Sequence, residues 1–347
     1  MTERSGLQIR NLYKIFGAHP ERYVDAVKAG MSKEELNDKH NHVLGLQNIN
    51  LDLAPGEISV IMGLSGSGKS TLIRHINGLI MPTAGEILYE GRNVVEMSEL
   101  ELRQFRRTKT AMVFQKFGLL PHRTVLENSC YGLEIAGMSA KEAEPIARRW
   151  IDRVGLSGFE DNYPKQLSGG MQQRVGLARA LANDADILLM DEAFSALDPL
   201  IRMDMQRVLL DLQDELKKTI IFITHDLDEA LRLGDSIAIL RDGLVEQVGS
   251  GQDIVLRPEN DYIAEFVREV NRGRVIHATR LARPLEANEE PPQMTVPGRK
   301  TLELTARAMS EAGQDRATVL DRSGTPIGVI DAHAILRAMV TPADVAA

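Results

Sequence analysis

The sequence predicts an α/β chain built on a doubly wound parallel sheet, with a helical subdomain inserted into it and a small α/β unit towards its end. Three observations predict this. Ile187-Leu188-Leu189-Met190 and Ile220-Ile221-Phe222-Ile223 are unbroken apolar runs, as strands covered on both faces require. Segments of helical spacing alternate with such runs along the chain. Gly63-Leu64-Ser65-Gly66-Ser67-Gly68-Lys69-Ser70 lies between an apolar run (Ile58, Val60, Ile61, Met62) and a helical pattern (Thr71, Leu72, Ile73, His75, Ile76), the strand, loop and helix order of a phosphate-binding loop.

At 347 residues the chain has room for two cores, and the composition places the division near residue 275. Residues 1–274 are then a nucleotide-binding domain, with its helical subdomain at about 116–165, and residues 275–347 a linker and terminal unit. A net charge of -8 gives no general attraction to nucleic acid or anionic lipid. Cys130 is the sole cysteine, so no intrachain disulfide forms, and Met1-Thr2-Glu3-Arg4 lacks the apolar core of a signal peptide. A reducing, cytoplasmic setting is expected. No apolar run approaches the length that spans a bilayer, so work at a membrane would need other subunits.

Taken in order, Leu7 to Phe16 opens as a strand that Gly17 ends. His19 to Asn41 is a polar, helix-prone insert with apolar Tyr23, Val24, Ala26, Val27 and Met31 and a cap at Ser32, read as a surface excursion without chemistry. Gln47 to Leu53 alternates as a strand, and Pro55-Gly56 turns into the strand that feeds the glycine loop. Gly85 to Tyr89 followed by Glu90-Gly91 reads as a hairpin, Ser98 to Arg107 as a capped charged helix, and Ala111 to Phe114 as a short strand ending at Gln115. From Thr124 to Asn162 helical spacing dominates. Pro284, Pro291, Pro292 and Pro297, with Glu286, Glu289 and Glu290 among them, argue against regular structure there. Beyond them Thr301 to Met309 reads as a helix, Ala317 to Leu320 as a strand, Ile327 to Ile330 as a strand and Ala332 to Met339 as a helix.

The chemistry follows from side-chain type and place. Glycines let the loop wrap an anion, the following helix N-terminus favours negative charge, Lys69 adds a full charge and Ser70 a hydroxyl for Mg²⁺. Asp191-Glu192 ends a central strand, where open α/β sheets bind ligands. Asp191 suits the metal, and Glu192 suits a water to be polarised. Gln115 and His225, each directly after a strand, can reach the metal or the water. Ser168-Gly169-Gly170 opens a helix with free N–H groups, a second anion site. Two anion sites for one nucleotide point to a dimer in which one copy's loop is completed by its neighbour's helix.

Together these motifs resemble the ATP-binding subunits of ABC (ATP-binding cassette) transporters, over about residues 7–270. The resemblance implies ATP as substrate, Mg²⁺, and a homodimer of nucleotide-binding subunits on the cytoplasmic face of the inner membrane. It implies a separate integral membrane permease as partner, an extracytoplasmic solute-binding protein indirectly, and no nucleic acid. It implies that Phe16 stacks on adenine, with Tyr13 a competing candidate, and that Gly63, Ser65, Gly66, Gly68, Lys69, Ser70 and Thr71 form the Walker A loop. Gln115 is then the Q-loop residue and shares the metal with Ser70 and Asp191. Ser168, Gly169 and Gly170 form the signature core, Asp191 and Glu192 the Walker B pair, and His225 the switch histidine. Ser195-Ala196-Leu197-Asp198 resembles the loop that crosses the dimer interface, while Met171 departs from the commoner Gln after the signature glycines. Asn11 to Gly17, the insert, and Val60 to Leu64 most resemble the quaternary-amine importers for glycine betaine, proline or choline. An amino-acid importer is the alternative within the family, and a nucleotide-driven switch on DNA or the ribosome the alternative outside it. Val319-Leu320-Asp321, Gly324, Pro326, Gly328 and Asp331 resemble half of a CBS module, whose role is dimerisation or regulation.

Overall fold

The computed structural model describes residues 6–115, 117–285 and 289–340, so the readings made on Met1 to Arg4 and Glu286 lie outside the described residues. Two compact units emerge, Met1–Glu246 and Gln247–Ala347.

In the first unit β1 (Leu7–Phe16) pairs antiparallel with β2 (Val43–Leu53), and between them come α1 (Val24–Lys28) and α2 (Lys33–His40). The insert is thus helical as expected, and Ser32 caps α2 by accepting from the Glu35 N–H. It also has a small core of its own, in which Val24, Val27 and Leu36 pack on Tyr13, Ile15 and Leu44. Then follow β3 (Ile58–Met62), α3 (Lys69–Ile76), β4 (Ala84–Tyr89), β5 (Arg92–Asn93), α4 (Glu99–Thr108) and β6 (Thr110–Val113). Helices α5 (Val125–Ile135), α6 (Ala140–Arg153) and α7 (Gly169–Ala182) pack on one another as the helical subdomain. The chain continues through β7 (Ile187–Asp191), α8 (Pro199–Leu216), β8 (Thr219–Thr224), α9 (Leu227–Leu233), β9 (Ser236–Arg241) and β10 (Leu244–Gly249).

The strands form a four-stranded sheet in the order β2-β1-β4-β5 and a six-stranded one in the order β10-β9-β3-β8-β7-β6. Strands β9, β3, β8, β7 and β6 run parallel, and every residue of β3 and β7 is buried. Their apolar side chains therefore leave water on both faces, at roughly 25 cal/mol per Å² of apolar surface. Register places Met62 beside Thr224 and Asp191 beside Ile223, so β3, β7 and β8 end level with one another. That shared edge carries the candidate site.

The second unit holds α10 (Gly251–Leu256), α11 (Asp261–Phe266), α12 (Arg272–Val275), α13 (Ala278–Leu281), β11 (Thr295–Pro297), α14 (Leu302–Glu311), β12 (Arg316–Leu320), β13 (Pro326–Asp331) and α15 (Ala332–Val340). Its sheet order is β11-β12-β13, with β11 parallel and β13 antiparallel to β12. The compact boundary falls at Glu246/Gln247, ahead of the expected division at 275. The reason is local: the Gln252 side chain accepts from the His277 N–H at 3.0 Å, Arg280 binds Asp253 at 2.7 Å, and Arg272 donates to the Val255 carbonyl at 2.9 Å. Part of the proline-rich stretch is also regular. Pro297 ends the edge strand β11, where its missing N–H costs no ladder bond.

Candidate functional site

The glycine loop leaves β3 and enters α3 as expected. Gly63 has φ +153°, and a methyl carbon there would sit 2.1 Å from the Leu240 carbonyl oxygen, so the close turn out of β3 admits only glycine. Gly68 (φ +102°) caps α3, and the Leu72 N–H bonds its carbonyl at 2.9 Å. Lys69 folds back over the loop, donating to the Gly63 and Leu64 carbonyls at 2.7 and 2.9 Å. Burial pulls its pKa down, opposed by the Glu192 and Asp191 charges. Ser65 and Gly66 are exposed and Thr71 is half-buried, while the Ser67 hydroxyl is buried without a hydrogen-bond partner among the described residues.

Ser70 and Asp191 meet although 121 positions apart: the Ser70 hydroxyl donates to Asp191 Oδ1 at 2.9 Å. Burial raises the Asp191 pKa, and the Ser70 hydrogen bond and the Arg74 charge oppose that rise. Arg74, one turn along α3, lies 3.9 Å from Asp191 Oδ2. A hydroxyl beside a buried carboxylate is a hard-oxygen donor set, which fits Mg²⁺.

Glu192 takes φ +46°, a left-handed conformation costly for a residue with a side chain. That turn takes it off the strand. Gln115 Nε2 donates to Glu192 Oε2 at 2.9 Å, and His225 Nδ1 lies 3.6 Å from the same oxygen. The geometry therefore brings Gln115, Glu192 and His225 together, with Ser195 Oγ donating to the Glu192 carbonyl at 2.9 Å. Arg202 ties the neighbouring loops, reaching Asp226 at 3.1 Å and the Leu197 carbonyl at 3.3 Å.

Of the two aromatic candidates, Tyr13 is 6% exposed inside the insert's core, whereas Phe16 is 40% exposed at the end of β1. Phe16 is thus the more accessible ring. Lys14 Nζ stands 5.1 Å from its centroid.

Ser168, Gly169, Gly170 and Asp198 do not join this cluster through any hydrogen bond among the described residues. Ser168 caps α7, accepting from the Met171 N–H at 3.3 Å, and Asp198 caps α8, accepting from the Ile201 N–H at 3.1 Å. Gly170 packs so closely on α8 that a methyl carbon there would lie 2.5 Å from Ile201 Cγ2. Sequence reasoning missed Arg74 and also Arg179, whose guanidinium donates from α7 to the Gly118 and Phe117 carbonyls at 2.7 and 3.2 Å. A basic residue one helical turn past Ser70 was the available signal for Arg74; Arg179 had none.

The sequence profile of the ABC transporter family matches residues 46–195. The glycine betaine/proline betaine transport system ATP-binding protein of Escherichia coli is 53% identical over 80% of this chain and 69% of its own length. The trimethylamine N-oxide transport system ATP-binding protein of Ruegeria pomeroyi is 46% identical over 95% of this chain and 96% of its own. Among solved structures, the dimeric structure of a bacterial ABC transporter cassette is similar with a TM-score of 0.60 at 34% identity, covering 71% of this chain and 98% of that one. No helix among the described residues is long and apolar enough to cross a membrane. With this fold and these relatives, the chain belongs to the ABC transporter family, as one of its ATP-hydrolysing cassettes.

Proposed function

We propose that the chain energises import of a small quaternary ammonium or related methylamine solute, glycine betaine foremost. Two copies would act against a membrane permease on the cytoplasmic face of the membrane. The observation that carries the solute class is the 53% identity to a betaine transport subunit. The solute itself would bind the permease and an extracytoplasmic binding protein; aromatic residues, the usual walls of a trimethylammonium site, are only 4% of this chain.

The residues divide the work as follows. Phe16 stacks on adenine. Gly63 to Thr71 wraps the phosphates with backbone N–H groups, and Lys69 exchanges its loop carbonyls for the outer phosphate oxygens. Ser70 and Asp191, with Gln115, are the residues that would hold Mg²⁺, which when bound neutralises charge on the phosphates. Glu192 orients the attacking water and accepts its proton, and His225 and Gln115 hold that carboxylate in place. Ser168 to Gly170 and Asp198 face the second copy's nucleotide, so each site is completed in trans. Closure and reopening of the pair would pass through the helical subdomain to the permease. The terminal unit, whose resemblance is to half of a CBS module, would serve dimerisation or regulation.

The test is ATP-dependent uptake of radiolabelled glycine betaine and choline into liposomes holding this subunit, its permease and the binding protein. Uptake that requires ATP and this subunit supports the reading. Uptake of an amino acid in place of both betaine and choline would overturn the solute class.

A further inference from the structure

We propose that Gly45 is a positioning residue that sets the adenine platform against the phosphate loop, a role that rests on the reading of Phe16 as that platform. The pairing of β1 and β2 carries a bulge at this point: Lys14 faces Leu46 and Ile15 faces Leu44, leaving Gly45 as the extra residue. A bulge beside a binding site re-aims a neighbouring side chain. Here the Phe16 ring lies against the bare α-carbon of Gly45, where a methyl carbon would sit 2.7 Å from Phe16 Cε2 and 3.3 Å from Cδ2. The other side of Gly45 meets the loop. Its carbonyl oxygen lies 2.8 Å from where a methyl on Gly68 would stand and 2.7 Å from the same point on Gly243. The Gln47 N–H bonds the Gly243 carbonyl at 2.8 Å, and the Gly243 N–H bonds that of Ser67 at 3.1 Å, which fastens β2 to the loop through the β9–β10 turn. One glycine thus touches the ring on one side and the last glycine of the phosphate loop on the other. The distance between base and phosphates is fixed by backbone contact.

Gly45 does not have a left-handed φ, and the third neighbour of an added methyl, the Lys14 carbonyl oxygen, is at an ordinary 3.5 Å. Gly45→Ala is therefore accommodated by displacing the partly exposed Phe16 ring, with the loop left in place. The experiment compares binding of MgATP and of inorganic triphosphate by calorimetry to the full chain and to Gly45→Ala, Phe16→Ala and the double variant. Expected is about a tenfold loss of ATP affinity in each single variant, the worth of one base-aromatic stack, with triphosphate affinity unchanged. The double variant loses no more than Phe16→Ala alone, and it lacks the ring that the methyl displaces, so it folds as Phe16→Ala does. Unchanged ATP affinity in Gly45→Ala beside a loss in Phe16→Ala overturns the Gly45 role alone. Equal losses for ATP and triphosphate in Gly45→Ala overturn it too, because the loop would then have moved. If Phe16→Ala binds ATP as tightly as the native chain, the platform reading itself falls and the proposal with it.

Discussion

Replacing Glu192 by Gln isolates the proposed general-base step. The change is isosteric, leaves the left-handed turn at position 192 as it is, and keeps an oxygen to accept from Gln115 Nε2, now 2.9 Å away. The side chain is mostly buried, but the shape and the acceptor for Gln115 are kept, so the fold loses little. What disappears is the carboxylate that faces both Gln115 and His225, and with it the proposed proton acceptor for the attacking water. General-base help of this kind is worth about 10²- to 10⁴-fold, or roughly 3 to 5 kcal/mol of barrier. Lys69, Ser70 and Asp191 contact one another or the loop and do not need Glu192, so ATP affinity should stay within a few-fold. Steady-state phosphate release gives the rate, and size-exclusion chromatography with and without ATP gives the assembly state. A hundredfold or greater fall in kcat and accumulation of an ATP-bound dimer are expected. Hydrolysis within about tenfold of native, with no ATP-dependent dimer, would refute the assignment of Glu192 as the base.

Two further outcomes are expected. His75 is buried in α3 with Nδ1 2.6 Å from the Thr71 carbonyl oxygen, and burial pushes its pKa down from 6.5 to about 4. The unfolded chain therefore takes up this proton from about pH 6.5 downward while the folded chain does so only near 4, so stability present above 6.5 is lost across that interval, by up to about 3 kcal/mol. Urea unfolding from pH 7.5 to 4 should show a shallower decline in His75→Leu than in the native chain, and parallel declines would contradict it. Truncation at residue 275 strips α10 and α12 of partners beyond that point, where Ile276, Ala278 and Leu302 are all buried. Soluble yield should fall while ATPase activity per folded molecule stays near native, since every proposed catalytic group lies upstream; a proportionate loss of specific activity would tie the terminal unit to catalysis.

The site was legible in the sequence wherever chemistry is local. A glycine loop between strand and helix, two acids after an apolar run, and polar residues directly after strands all mark the level carboxyl edge of β3, β7 and β8, because the residue type and the strand end appear in one short window. What escaped depends on pairing across distance. Arg74 matters only once α3 is laid beside Asp191, and Arg179 only once α7 faces Gly118. Gly45 looks like any glycine until β1 and β2 are set in register 30 residues apart. β11 is three residues long and ends in proline, so neither period nor propensity marks it. The early boundary at Gln247 follows from hydrogen bonds between residues 252–255 and 272–280, which no composition shift announces.

In the proposed dimer each nucleotide site is shared between two copies, Gly63 to Ser70 from one and Ser168 to Gly170 from the other. Ser65 is exposed in the loop and Ser168 caps α7, while the native Cys130 is buried, so cysteines placed at 65 and 168 report on the pair without interference. The Ser65→Cys, Ser168→Cys double variant, in the Glu192→Gln background, should be oxidised to a covalent dimer only when ATP is present. Neither single variant should crosslink. A monomer locked by an internal disulfide, or a dimer that forms equally without ATP, would contradict the shared site.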